Sequence, residues 1–186
     1  MNYFIQFLTY FRIVIAPIIF ILITLYDSYG WALLLFFLAS ISDYWDGFLA
    51  RKYNLESILG EVLDPIADKI LVTFLILALV ISLSSSFIAF VGGMILVREF
   101  WVAALRNINA RQDNIDATKV TLLAKYKTFV QMITFFIYIL GLYIESALLI
   151  FIANFFLLAS LIITLKTGLE YTMSTFNQTS KNKLNS

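Results

Sequence analysis

Apolar residues fill this chain in six long windows separated by short polar connections. The windows cover roughly residues 4–26, 31–52, 61–82, 87–110, 121–144 and 146–168. Each is long enough for a helix that crosses the hydrocarbon core of a bilayer, which takes about 20 apolar residues. The pattern therefore predicts an all-α, polytopic integral membrane protein whose six transmembrane helices form one compact bundle.

The composition agrees with a membrane protein and restricts its chemistry. Of the 186 residues, 61% are hydrophobic, whereas soluble domains are about half apolar. Only 13% are charged. The chain contains no cysteine and no histidine. Thiol chemistry and imidazole ligands are thus excluded, and any metal site must use oxygen ligands, which favours magnesium, manganese or calcium over zinc or copper.

The basic residues are distributed unevenly among the connections. They are Arg51 and Lys52 in the second connection, Arg106, Arg111 and Lys119 at the fourth, and Lys166, Lys181 and Lys183 near the C-terminus. Because cytoplasmic flanks accumulate Lys and Arg, both termini and the site described below are expected to face the cytoplasm, in the inner (cytoplasmic) membrane. Residues 1–170 are predicted to form the catalytic domain, and the polar residues 171–186 a disordered cytoplasmic tail.

Four aspartates lie around the second connection, close to membrane depth: Asp43, Asp46, Asp64 and Asp68. The first two are three residues apart and share one helix face, and the last two are one turn apart on the next helix. If two antiparallel neighbours bring these faces together, unpaired carboxylates would repel and lose hydration. Divalent cations are the natural counter-charge, so the four aspartates are predicted ligands of magnesium or manganese.

Small residues accompany these carboxylates. Gly47, Ala50 and Gly60 would let a bulky anionic ligand approach the backbone, and Arg51 offers a planar fork for phosphates. Together they predict a diphosphate site. The alternative is that the aspartates are ordinary interfacial residues at helix ends, but ionisable groups at membrane depth are more often functional.

This segment resembles the signature of the CDP-alcohol phosphatidyltransferases. The eight fixed positions are Asp43, Asp46, Gly47, Ala50, Arg51, Gly60, Asp64 and Asp68, and all of them match in identity and spacing. The resemblance implies a six-helix fold, often homodimeric, with two metal ions held by the aspartates. It also implies that Asp68 is the general base, and that the CDP-lipid is bound by Thr9, Gly47, Ala50, Arg51 and Gly60.

Basic residues in the other helices are the guide to the acceptor alcohol. Those within or beside apolar windows are Arg12, Arg98, Arg106, Lys125 and Lys127. As a group they are expected to line a polar cavity near the aspartates and to receive an anionic, phosphorylated acceptor, since Arg and Lys both bind phosphate. Taken singly, each has an alternative: the side chain snorkels to the headgroups or, for Arg98, pairs with Glu99.

Motifs outside the signature resemble the family members that use glycerol 3-phosphate as the acceptor. They include Leu8, Thr9, Arg12, Pro17, residues 63–71, Arg98, Glu99, Arg106, Lys125, Lys127, Thr128 and Gln131. The resemblance implies that Arg98, Arg106, Lys125 and Lys127 bind the acceptor phosphate, and that the products are phosphatidylglycerol phosphate and CMP. The expected partners are CDP-diacylglycerol, glycerol 3-phosphate, membrane lipid and a second copy of the chain, and no nucleic acid.

Two alternatives remain open at this point. The first keeps the chemistry but uses inositol phosphate, phosphatidylglycerol or serine as the acceptor, and the basic residues argue only against serine. The second is a transporter in which the aspartates bind cations, which would be expected to show inverted repeats. The chain has no internal repeat, and the four signature aspartates form a single cluster near one membrane face.

Overall fold

The computed structural model of this chain is built from α-helices. It describes the backbone of residues 2–53, 58–111 and 122–184, and the side chains of residues 7–42, 63–110 and 127–176. The helices are α1 (Asn2–Thr24), α2 (Tyr29–Tyr53), α3 (Ile58–Leu83), α4 (Ser86–Arg111), α5 (Leu122–Tyr143) and α6 (Ala147–Leu184). Each helix contains most of one apolar window, and α6 extends beyond its window, so the prediction of an all-helical fold is confirmed for the described residues.

Four of these helices are long and apolar enough to cross a membrane. Their candidate spans are Phe7–Thr24, Leu63–Leu83, Ser86–Ala110 and Ala147–Phe176. Shorter apolar segments, Tyr29–Ser42 and Lys127–Tyr143, lie in α2 and α5. The fold is therefore that of a helical membrane protein with at least these four candidate spans.

The C-terminal segment differs from the disordered tail expected from its composition. The structure continues α6 to Leu184. Tyr171 and Thr175 on this helix are buried, and Asn109 Nδ2 on α4 donates a 2.8 Å hydrogen bond to Thr175 Oγ1. The overall composition of the segment is polar. Its packing, however, depends on one face of the helix, where Tyr171 and Thr175 contact α4.

Three tight connections lie together at one end of the bundle. Each contains a residue with positive φ that ends a helix, namely Asp27 (48°), Ser84 (45°) and Glu145 (53°). Ser85 and Ser146 then accept backbone hydrogen bonds at 3.3 and 3.4 Å and cap the starts of α4 and α6. Consecutive helices at this end are consequently antiparallel neighbours.

The main helix contacts close into a ring. Helix α1 packs against α2 and α3, α4 packs against α3 and α6, and α5 packs against α2 and α6. The apolar core lies between them and includes Ile19, Phe36, Leu75, Phe135 and Leu157. Large apolar side chains such as Phe151 and Phe155 remain exposed on the outside of the ring, as expected where lipid is the solvent.

Gly92 marks a close approach between α4 and α3. A Cβ atom at Gly92 would lie 2.5 Å from Cγ2 of Ile76, whereas one at the neighbouring Gly93 would meet nothing within 4 Å. Ile76 is β-branched and cannot easily rotate its methyl group away. We expect Gly92→Ala to lower the free energy of unfolding by about 1–3 kcal/mol through overpacking.

Thermal unfolding in detergent measures this effect, with Gly93→Ala as the matched control. The control should be neutral or slightly stabilising, because alanine favours a helix more than glycine does. Equal stability of the two variants would contradict the close packing of α3 on α4.

Candidate active site

Two of the predicted metal ligands lie on α3 and contact α1. Thr9 Oγ1 donates a 2.7 Å hydrogen bond to Asp64 Oδ1. Arg12 Nη1 donates to Asp68 Oδ1 at 2.5 Å, and Arg12 Nη2 lies 3.5 Å from Asp64 Oδ1. Helices α1 and α3 run parallel, so Thr9 and Arg12 on α1 face Asp64 and Asp68, respectively, on α3. We call Thr9, Arg12, Asp64 and Asp68 the aspartate cluster.

Burial differs sharply within the aspartate cluster. Arg12 is fully buried, whereas the side chains of Asp64 and Asp68 are 39% and 37% exposed. The guanidinium therefore supports the carboxylates from inside the protein, and part of each carboxylate side chain remains accessible to a ligand.

Partly exposed carboxylates of this kind fit a divalent cation with hard oxygen ligands. Among the side chains described, no group of three or more acidic, His or Cys residues gathers around one point. The other two predicted ligands, Asp43 and Asp46, lie outside the described side chains, as do Gly47, Ala50, Arg51 and Gly60. The structure thus places the α3 half of the predicted site, and the four-ligand arrangement stays a prediction.

A second charged group joins α4, α5 and α6. Arg98 Nη1 donates to Glu99 Oε1 at 3.2 Å, and Lys127 Nζ donates to the same oxygen. Arg98 Nη2 donates to Thr167 Oγ1 on α6 at 2.5 Å. Arg98 and Lys127 are only 7% and 8% exposed. We call Arg98, Glu99 and Lys127 the basic cluster, since it carries two positive charges and one negative charge.

Gly168 determines where the Arg98 side chain can lie. A Cβ atom at this position would be 3.0 Å from Arg98 Nε and 3.1 Å from Arg98 Cγ. The missing side chain on α6 therefore makes room for the guanidinium stem. Among the described residues, Arg98 Nε and Gln131 Nε2 are buried donors without a hydrogen-bond partner. Such atoms call for a ligand or an ordered water nearby.

The remaining basic residues are placed differently. Arg106 is exposed and stacks on α6, with its guanidinium carbon 5.5 Å from the centre of the Tyr171 ring. Lys125 lies outside the described side chains. Arg12 contacts the aspartates, in agreement with its expected place near them, and its part in receiving the acceptor stays a prediction.

Three contributors to the basic cluster were not singled out as site residues from sequence. Glu99 was noted as a neighbour of Arg98 and as part of a family motif but was given no role, although an acid inside an apolar window was a usable signal. Thr167 and Gly168 carry no signal in the sequence, because their importance comes from contact with a helix distant in the chain.

The two clusters lie at similar depth in the bundle. Gly92 is adjacent to Ile76; Arg98 follows Gly92 by six residues, and Asp68 precedes Ile76 by eight. With a rise of about 1.5 Å per residue, the antiparallel α3 and α4 bring Asp68 and Arg98 to within roughly 3 Å along the bundle axis. We call this end of the bundle the site end.

Helix α2 reaches the same depth. Gly30 on α2 lies against the ring of Tyr143 on α5, and these two helices are antiparallel. Position 46 of α2 and Lys127 of α5 are each sixteen residues from that contact. The backbone that carries the first two signature aspartates is therefore level with the basic cluster.

An open cavity of about 760 Å³ occurs at the opposite end of the bundle. Asp27, Tyr29, Trp31, Tyr143 and Glu145 line it, together with neighbouring residues. It lies far from both charged clusters and contains none of the predicted site residues, so we do not assign the chemistry to it.

Comparison with known proteins agrees with the signature. The sequence profile of the CDP-alcohol phosphatidyltransferase family matches residues 5–166. A protein of Rickettsia typhi is 42% identical over 138 residues, which cover 73% of this chain and 75% of that protein. A protein of Wigglesworthia glossinidia brevipalpis is 33% identical over 157 residues, covering 76% of this chain and 85% of that one. Both are named CDP-diacylglycerol–glycerol-3-phosphate 3-phosphatidyltransferase.

The basic cluster predicts an asymmetric effect on stability. Glu99→Gln would leave two buried cations without their shared counter-charge, and we expect a loss of about 3–5 kcal/mol in the free energy of unfolding. Lys127→Met leaves the Arg98–Glu99 pair intact and should cost less. Chemical denaturation in detergent measures both losses.

Glu145→Gln is the control, because Glu145 is exposed at the opposite end of the bundle. It should behave like the unmodified protein. If Lys127→Met proved as destabilising as Glu99→Gln, Glu99 would not be the shared counter-charge.

Proposed function

Because the chain belongs to the CDP-alcohol phosphatidyltransferase family, we propose that it transfers the phosphatidyl group of CDP-diacylglycerol to glycerol 3-phosphate. The products are phosphatidylglycerol phosphate, a precursor in phospholipid biosynthesis, and CMP. The observation that carries this proposal is the similar depth of two charged clusters in the bundle, one of them anionic and partly exposed and the other basic and buried. The names of the relatives support the choice of acceptor.

The aspartate cluster serves the donor lipid. Asp64 and Asp68, with Asp43 and Asp46 of the signature, would hold two magnesium or manganese ions, and these would supply the positive charge that a reacting diphosphate needs. Arg51, beside the small residues of the signature, binds the phosphates of the CDP group. Thr9 fixes one oxygen of Asp64 by its 2.7 Å hydrogen bond and so contributes to the donor site indirectly.

Asp68 accepts the proton of the attacking hydroxyl group. The hydroxyl oxygen then forms a bond to the phosphorus of the phosphatidyl group, the bond between that phosphorus and the bridging oxygen breaks, and CMP leaves with the bonding electrons. Arg12 Nη1 donates a hydrogen bond to Asp68 Oδ1 and so orients this carboxylate.

The basic cluster binds the phosphate of the acceptor. Arg98 offers a planar fork and Lys127 a point charge, and both are desolvated, which strengthens their attraction for an anion. Arg106 and Lys125 belong to the same predicted set and assist from the site end. With Glu99 included, the cluster keeps a net positive charge, which favours a phosphorylated alcohol over serine.

The membrane arrangement follows from the helix lengths and the basic residues. We propose that all six helices cross the inner membrane, with α2 and α5 completing the four stronger candidate spans. Both chain termini and the site end face the cytoplasm, where the soluble substrate and product are found. The protein functions as a homodimer, as the family resemblance implies.

The first test is CMP release from CDP-diacylglycerol by the purified protein in detergent with magnesium or manganese. Glycerol 3-phosphate, serine, inositol phosphate and phosphatidylglycerol are compared as acceptors. We expect release with glycerol 3-phosphate alone. Release driven by a different acceptor would refute the assignment of the basic cluster, and no release with any acceptor would refute the transferase activity.

Two aspartate variants, one inside the aspartate cluster and one outside it, test whether the activity depends on the proposed metal ligands. Asp64→Asn removes a proposed metal ligand and should lower kcat by at least about 100-fold, since several kcal/mol of charge stabilisation are lost. Asp27→Asn alters an aspartate at the opposite end and should leave the rate unchanged.

Gly168→Ala tests the acceptor site without altering a charge. The added methyl group must push the Arg98 side chain by a few tenths of an ångström, because the gap to Nε is only 3.0 Å. We expect KM for glycerol 3-phosphate to rise by roughly threefold to tenfold, since small displacements of a positioning group are costly. KM for CDP-diacylglycerol should stay nearly constant.

Steady-state kinetics with each substrate varied in turn separates these effects. Gly93→Ala serves again as the control, because the added methyl group meets nothing within 4 Å. An unchanged KM for glycerol 3-phosphate in Gly168→Ala would remove Arg98 from the acceptor site.

A further inference from the structure

Arg12 is the largest fully buried side chain among the described residues. It lies on α1, outside the signature that supplies the predicted metal ligands. Its two terminal nitrogens nevertheless contact two of those ligands, Asp68 Oδ1 at 2.5 Å and Asp64 Oδ1 at 3.5 Å. A guanidinium keeps its charge under all physiological conditions. The aspartate cluster therefore contains one permanent positive charge before any metal ion arrives.

The guanidinium of Arg12 contacts both carboxylates at once, through a hydrogen bond to Asp68 and an ion pair with Asp64. Two aspartates one turn apart repel each other, and without a bridging group their side chains would move apart. Arg12 joins them through separate nitrogens, and Thr9 holds Asp64 Oδ1 from the same helix at 2.7 Å. A lysine in place of Arg12 would keep the charge but could not bridge two carboxylates with a planar fork.

The same charge must oppose metal binding. A divalent cation held by Asp64 and Asp68 would be repelled by the guanidinium, because Arg12 contacts both carboxylates and charges near a protein interior are only partly screened. Arg12 thus has two opposing effects: it orients the carboxylates of Asp64 and Asp68, and it lowers their affinity for a divalent cation.

We infer that Arg12 is a positioning residue of the metal site, which orients Asp64 and Asp68 for catalysis and at the same time weakens their affinity for the divalent cation. This inference rests on the proposed metal-dependent transferase function. It adds a residue of α1 to a site whose predicted ligands all lie on α2 and α3.

The test is Mn²⁺ binding to the purified protein, followed by electron paramagnetic resonance, with kcat measured in parallel. Arg12→Gln removes the charge and should tighten Mn²⁺ binding on the order of tenfold, while kcat falls at least about tenfold because the carboxylates lose their fixed orientation. Arg12→Lys should leave the Mn²⁺ dissociation constant within about threefold of that of the unmodified protein, since the charge is kept. Its kcat should still fall.

Thermal unfolding provides a readout independent of turnover. Without metal, Arg12→Gln removes the positive charge that contacts two neighbouring carboxylates, so added Mn²⁺ should raise its Tm by more than it raises that of the unmodified protein. If Arg12→Gln does not fold even with Mn²⁺, the test rests on Arg12→Lys. A lower kcat with a nearly unchanged Mn²⁺ dissociation constant in Arg12→Lys supports the inference.

The possible failures can be told apart. If the unmodified protein binds no Mn²⁺, the proposed metal site itself is wrong. If it binds Mn²⁺ but Arg12→Gln binds it equally or more weakly, or Arg12→Lys keeps full kcat, only the role of Arg12 is overturned. A selective loss of CDP affinity in both variants, with unchanged Mn²⁺ binding, would instead show that Arg12 contacts the donor lipid.

Discussion

The ion pairing of Arg12 with the α3 aspartates is the interaction on which the site end depends. A guanidinium inside an apolar bundle needs a counter-charge, because it can neither lose its proton nor reach water. Asp64 and Asp68 provide that charge and hold α1 against α3 in one register. The carboxylates are therefore positioned by helix packing, which is more rigid than a loop, and their exposed surfaces remain open to ligands.

The basic cluster also keeps charged side chains inside the bundle by pairing them with an opposite charge. Two cations, Arg98 and Lys127, share the carboxylate of Glu99, so that only one net positive charge is buried. That residual charge is suited to an anionic substrate. The aspartate cluster and the basic cluster thus lie at similar depth in the same ring of helices, an arrangement that suits the proposed reaction between two phosphate-containing substrates.

Much of this architecture was predictable from sequence, because a long apolar segment in a bilayer can satisfy its backbone only as a helix. The spacing of Asp64 and Asp68 likewise predicted a shared helix face. Periodicity does not reveal which distant helix meets that face, so the pairing of Arg12 with the aspartates was not predicted. The docked helix beyond Glu170 was missed for a related reason, since the bond between Thr175 and Asn109 is invisible in composition.

The position of α1 explains why the site needs a third helix. Among the described residues, α1 packs extensively against both α2 and α3, the two helices that carry the signature aspartates. A metal site divided between two helices must keep like charges close together in the absence of metal, and packing between apolar surfaces cannot offset that repulsion. A cation on the helix that contacts both can do so. The arginine of α1 thus positions the α3 carboxylates, which the proposed metal site needs as ligands.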